Sequence, residues 1–366
     1  MRIGLIVPPF LAVPPSRYGG TELVVDALAR GLRQLGHDVR LFTVGESTCP
    51  VPTAWWYEHT VEPMGMGSAE ATQVTVAYRE LADVDVVHDH TLLGPLVFGG
   101  RDGPPVVTTC HSAFTADLRQ VYAEIGRRVP IVAISQSQRD SAPEVPIARV
   151  VHHGLDLSQY TPGAGDGGYL LFLARMSPDK GPHHAIRIAR AAGRRLVLVA
   201  KMRDPEEFAF FRSEVEPLLG PDVDFVGEVA LAERVRLLQG AAALLNPIDW
   251  PEPFGLTMIE ALACGTPVLT LRRGAAPEIV TDGRTGFLRT DADALVACVD
   301  RLGQIDRADC RAEARQRFSM QRMVEDYLDV YVQALLGQPG DCVDDSHCAI
   351  AGTGSSGRGL RAAKAT

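Results

Sequence analysis

Short apolar runs and helical periodicity alternate along this chain. RIGLIV forms the first run, from Arg2, and a long loop follows it. Leu23, Val24, Leu28, Ala29 and Leu32 then fall on one face of a helix that Thr21 would cap and Gly36 would end. VRLFTV, VDVVH, PVVTTC and PIVAIS have strand composition. A glycine-rich break, TPGAGDGG from Thr161 to Gly168, precedes a second series. That series reads YLLFLA strand, HHAIRIARAAG helix, RLVLVA strand, PEEFAFFRSEVEPLL helix, VDFVG strand, AERVRLLQG helix and AALLNP strand. A helix through Glu260, the strand PVLTLR and a helix near Asp291 to Leu302 complete it. Alternation of this kind predicts parallel sheets with crossover helices, arranged as two doubly wound domains that face one another.

The predicted boundaries are residues 1–162 for the first domain and 168–318 for the second. MQRMVEDYLDVYVQALLG places Met323, Tyr327, Val330, Tyr331 and Leu335 at helical spacing, so residues 319–336 should form a helix packing back across the domains. Residues 338–366 carry no periodic apolar face and read as a disordered tail.

Composition narrows the function classes. The formal charge of −9 argues against nucleic acid as a partner. Seven scattered cysteines without paired metal spacing read as reduced thiols. The start MRIGLIVPPF is a poor signal peptide and is too short to span a bilayer, so the expected compartment is the cytoplasm.

In open α/β sheets, ligands sit beyond the carboxyl ends of the strands. His88, His111, Arg175 and Glu252 all fall at or just after such ends, from both halves of the chain. ARMSPDKG brings Arg175 and Lys180 to a helix start, where two cations and backbone amides suit a diphosphate. Gly19 and Gly20 in RYGGTE would let amides approach a ligand. In EPFGLTMIE two carboxylates are separated by seven residues: Glu252, held in a loop by Pro251 and Pro253, and Glu260, which Thr257 could engage in a capping box.

The combination of YGGTE, LARMSPDKG and EPFGLTMIEALACGTPV resembles the retaining glycosyltransferases of family 4, from about Met1 to about Tyr331. The resemblance implies the GT-B architecture, two facing Rossmann-like domains with an inter-domain cleft. It implies a nucleoside diphosphate sugar donor and an acceptor such as a saccharide, a lipid or a small metabolite. Peripheral membrane contact would arise only with a lipid acceptor. It further implies that no cofactor or metal is needed.

Carried over, Arg175 and Lys180 neutralise the diphosphate, Glu252 binds the donor sugar and Glu260 the ribose hydroxyls. Amides of Phe254, Gly255, Leu256 and Thr257 line the sugar and phosphates. Gly19 and Gly20 approach the diphosphate from the other domain, and His111 lies near the sugar. Two features depart from the family pattern: Ala174 stands where glycine is usual, and Lys201 also stands where glycine is common. Three other classes remain open on the residues alone. One is a nucleotide-binding protein of this fold without transfer activity. Another is a metal-dependent hydrolase built on His88 and His90, and the third is a nucleotide-sugar epimerase.

Overall fold

The computed structural model describes residues 1–17 and 19–337. Tyr18 and the expected tail, with Cys342, His347 and Cys348, lie outside the described residues. Seven strands form the first sheet: β1 (Arg2–Ile6), β2 (Asp38–Thr43), β3 (Thr53–Trp55), β4 (Val86–Asp89), β5 (Val106–Thr109), β6 (Ile131–Ala133) and β7 (Ile147–Val150). Six form the second: β8 (Tyr169–Arg175), β9 (Arg195–Lys201), β10 (Val223–Gly227), β11 (Ala243–Asn246), β12 (Val268–Leu271) and β13 (Gly286–Arg289). Their orders are β3-β2-β1-β4-β5-β6-β7 and β10-β9-β8-β11-β12-β13, and the ladders are parallel. Strand order reverses beside β1 in one sheet and beside β8 in the other. Those are the switch points where parallel sheets of this kind open a crevice.

The central strands are apolar almost throughout because helices cover both faces. Residues 170 to 174 of β8 are all buried. One core surrounds the second sheet, and two flank the faces of the first. Leu23 reaches from the first helix to the second sheet's core, and Leu256 touches cores on both sides.

The helix Met320–Leu335 follows the second sheet but buries Met323, Val324, Tyr327, Val330 and Tyr331 in a core of the first, beside the helix Gly20–Gln34. At their crossing a side chain on Gly31 would stand 2.6 Å from Val324 Cγ2, so glycine permits the approach. Leu155 and Ser319 form a parallel bridge. The Leu155 amide donates to Phe318 at 2.9 Å, and the Met320 amide donates to the Leu155 carbonyl at 2.8 Å.

Two expected caps differ. The first helix starts at Gly20 after the N-cap Gly19, so Thr21 lies inside it. The helix Leu256–Ala263 starts after Gly255 at φ 107°, which puts Thr257 in its first turn and leaves no capping box with Glu260. Glycine reaches that φ without the penalty a side chain would impose, so the chain enters the helix earlier than a threonine cap would have it. Among the described residues no helix is long and apolar enough to cross a membrane.

Replacing Gly31 with leucine should cost about 1–3 kcal/mol through overpacking of the Val324 contact. Urea unfolding of Gly31→Leu checks this, and unchanged stability would show that the two helices separate freely.

Candidate functional site

A cleft between the sheets is lined from both sides. Arg17 and Gly19 come from the first β-α connection, Gly20, Thr21 and Leu23 come from the start of the helix after it, and His111, Ile134 and His153 follow the ends of later strands. The second sheet contributes Ala174, Lys180, Arg234, Asn246, Glu252, Phe254, Gly255, Leu256, Thr257 and Glu260, among others.

Lys180 ends a short 3-10 turn, Pro178–Lys180, after β8. Gly181 follows at φ 73°, where a Cβ would stand 2.7 Å from the Pro247 carbonyl oxygen. This backbone seats Lys180 almost wholly buried, with its Nζ donating to Glu252 Oε2 and lying 5.3 Å from the Trp250 ring centroid. Trp250 Nε1 donates to the same carboxylate oxygen at 2.7 Å. The Glu252 backbone is fixed as well: its carbonyl accepts from Ala275 N at 3.0 Å, and Gly274 packs too closely against it to carry a side chain.

Two helix starts line the same cleft as Lys180. A Cβ on Gly20 would lie 3.3 Å from Leu256 Cδ1, so the first turn of Gly20–Gln34 meets the first turn of Leu256–Ala263 across the cleft. Both ends present amides with no intrahelical partner and carry partial positive charge. The arrangement is built for an anion.

Glu260 is buried, and its Oε1 accepts from the Tyr160 hydroxyl at 3.0 Å. Arg234 Nη2 stands 3.1 Å from that oxygen. These partners replace the expected helix cap. On the first-sheet side, His111 Nε2 lies 2.9 Å from His90 Nδ1, and the His111 ring stacks on His153 at 5.3 Å between centroids. Burial lowers the His111 pKa to about 4 and holds His90 and His153 well below the usual histidine range, so these rings are neutral near pH 7.

Among the residues expected to bind the donor, Arg175 is the exception. It does not line the cleft; its guanidinium faces Asp179 at 3.6 Å and Glu207 at 3.8 Å, and its side chain is 36% exposed. Spacing places the residue at the end of β8, but acids on the next turn and on the helix Pro205–Phe210 decide where its long side chain lies. Lys201 ends β9 and is buried, but it too does not line the cleft. Trp55 and Trp56 are exposed at the sheet edge and away from the cleft lining.

The structure places His88 in the packing of the first sheet. His88 Nδ1 and Nε2 are 2.8 Å from the Tyr331 hydroxyl and from Thr109 Oγ1 respectively, so one ring nitrogen meets the C-terminal helix and the other the neighbouring strand β5. Among the described residues no group of three His, Cys, Asp or Glu side chains is placed to hold a metal ion.

Sequence reasoning passed over Arg17, His153, Arg234 and Tyr160. Arg17 stands two residues before the paired glycines, a position that could have drawn notice. The other three acquire their roles only through contacts distant in the chain.

Glu278 bridges the two halves. Its Oε2 accepts from the Gln136 amide at 2.8 Å and lies 2.9 Å from His152 Nε2, while its Oε1 accepts from the Ser137 amide at 2.7 Å. Burial by itself would raise its pKa, but the hydrogen bonds from His152 and the two amides outweigh it and hold the carboxyl below its ordinary value of 4.5.

Two facing Rossmann-like domains with a cleft between them define the GT-B class of glycosyltransferase, and comparison with known proteins agrees. A family model described as glycosyl transferases group 1 matches residues 160–317, and one described as glycosyltransferase family 4 matches residues 18–159. The chain belongs to this family and is a sugar-transferring enzyme. A D-inositol 3-phosphate glycosyltransferase of Actinosynnema mirum is 30% identical over 314 residues, covering 70% of this chain and 74% of the relative. A phosphatidyl-myo-inositol mannosyltransferase of Mycolicibacterium smegmatis is 26% identical over 364 residues, covering 87% and 89%. The crystal structure of AviGT4, a glycosyltransferase involved in avilamycin A biosynthesis, matches with a TM-score of 0.66 at 27% identity over 92% of this chain and 98% of that one. Anabaena HepE, solved in complex with UDP-glucose, shares the fold with a TM-score of 0.73 at 20% identity over 91% of this chain and 100% of that one.

Because the folded-state pKa of Glu278 is depressed, its contribution is present above pH 4.5 and is lost as pH falls through the lowered value. Glu278→Gln should therefore be less stable than the wild type by about 1–3 kcal/mol at pH 7. That gap should close below pH 4.5. Urea unfolding across this range measures it, and a gap independent of pH would contradict the bridging role.

Proposed function

We propose that the protein is a metal-independent, retaining glycosyltransferase that moves a sugar from a nucleoside diphosphate sugar to an acceptor hydroxyl. The observation that carries this reading is the meeting of two helix starts with Lys180 at one cleft. A diphosphate there receives amide hydrogen bonds from both domains and an ammonium beside them. The neutral rings of His111 and His153, near Phe254, offer a site for an uncharged sugar.

As the bond from the anomeric carbon to the phosphate oxygen breaks, negative charge grows on the diphosphate. Lys180 and the amides of Gly20, Leu256 and Thr257 meet that charge in place, which lowers the barrier without reorganisation. Arg175 joins them by exchanging its two long acidic contacts for phosphate. The acceptor oxygen attacks the anomeric carbon from the face the diphosphate leaves, and its proton passes to the departing phosphate oxygen. Retention follows, and no enzymic nucleophile is needed. Glu252 suits sugar binding better than attack, because Lys180 and the Trp250 N–H already share its carboxylate. Glu260 accepts from the ribose hydroxyls.

Calorimetric titration of UDP, GDP, ADP and TDP with a chelator present tests the donor site. Micromolar binding of one of them is expected, weakened at least tenfold in Lys180→Ala by loss of a charge-assisted contact of about 1.5–3 kcal/mol. Absence of binding by all four would remove the reading. With a nucleotide sugar of the matching base, proton NMR of the product should show the donor's anomeric configuration, and inversion would overturn the mechanism.

A further inference from the structure

We infer that Tyr160 and Arg234 are positioning residues that hold Glu260 by one carboxylate oxygen and turn the other to the ribose of the donor, tying this contact to the segment that joins the two sheets. The inference rests on reading the cleft as a nucleoside diphosphate sugar site.

Three parts of the chain remote in sequence meet at Glu260 Oε1. Tyr160 lies between β7 and β8, directly after the short turn Leu157–Gln159, and is almost wholly buried. Its hydroxyl donates to Oε1 at 3.0 Å. Arg234 belongs to the helix Leu231–Gly240 and brings Nη2 to 3.1 Å from the same atom. Both Arg234 and Glu260 line the cleft. The side chains of the pair are only 9% and 2% exposed, so carboxylate and guanidinium meet in a dry setting where each offsets the other's burial. Burial and the Glu260 charge raise the Tyr160 pKa well above its usual value, which keeps its proton in place to donate.

A carboxylate can accept about four hydrogen bonds, two at each oxygen. With both contacts on Oε1, the plane of the group is set and Oε2 is the oxygen available to a ligand. A ribose offers two neighbouring hydroxyl donors to it, and a sugar lacking them offers none. Tyr160 and Arg234 thus act through Glu260, and their removal should weaken recognition of the ribose while sparing recognition of the phosphates.

The test uses the full chain and whichever of UDP, GDP or ADP binds, together with its 2′,3′-dideoxy counterpart. Tyr160→Phe keeps the ring and the charge balance. It should weaken ribonucleotide binding about three- to tenfold, the range of one hydrogen bond, and leave dideoxynucleotide binding within about twofold. Arg234→Lys keeps the charge but loses the planar fork, and it should show the same selective loss. It supplies the readout if the tyrosine variant fails to fold. Equal weakening toward both nucleotides would make the residues phosphate contacts or plain structural supports, and it would overturn the inference, as would no weakening at all. Failure of the wild type to bind any nucleotide would instead remove the donor-site reading, and this inference with it.

Discussion

The cleft exists because two parallel sheets are held with their strand ends face to face, and the carboxylate of Glu278 is central to that hold. The amides of Gln136 and Ser137 begin a helix and have no partner within it, so a carboxylate from the other half satisfies both with charge-assisted bonds. The same carboxylate meets the ring of His152, whose carbonyl accepts from Arg322 on the C-terminal helix at 2.7 Å. His153 is gripped likewise, with Arg322 donating to its carbonyl at 3.1 Å. A short segment clamped from two directions sets its next ring beside His111 and Phe254. The placement of cleft-lining rings is therefore a by-product of how the halves are joined.

The site's electrostatics follow from burial. A chain with formal charge −9 presents at this cleft an array of amide donors, Lys180, Arg17 and Arg234. Lys180 and Arg234 are each paired with a glutamate, Glu252 and Glu260. Neither glutamate is left as an isolated charge facing the cleft. Each keeps lone pairs that can accept from hydroxyl donors. His111 and His153 contribute donors and acceptors without net charge, since burial holds both below the usual histidine range.

Much of this was legible in the sequence, for reasons particular elements make plain. Strands such as YLLFLA, buried on both faces, announce themselves as apolar runs. The edge strands β3, β7 and β13 did not, because they are short, and β3 and β7 are only partly buried, so polar residues interrupt them. Paired glycines before the first helix and the EPFGLTMIE segment gave away most of the cleft lining. Capping at Thr21 and Thr257 was misread because a glycine precedes each helix, and backbone freedom there outweighs side-chain preference. Arg175 was placed correctly along the chain, but nothing local announces Glu207, more than thirty residues away, as its neighbour. A metal role for His88 stayed open because its partners, Thr109 and Tyr331, come from elements that meet it only in the folded chain.

The backbone crosses between the halves twice, and the two crossings run side by side, bonded through Leu155, Phe318 and Met320. Gly154 is packed so tightly on Ser319 that no side chain could intervene. Two tethers far apart would lock a pair of bodies together, and one alone would let them swivel in any direction. Two tethers laced into a single narrow ribbon act as the pin of a door: they leave one easy rotation, opening and shutting the cleft, and resist twist and slide. Residues borne on the opposite walls of the cleft would then return to the same register at every closing.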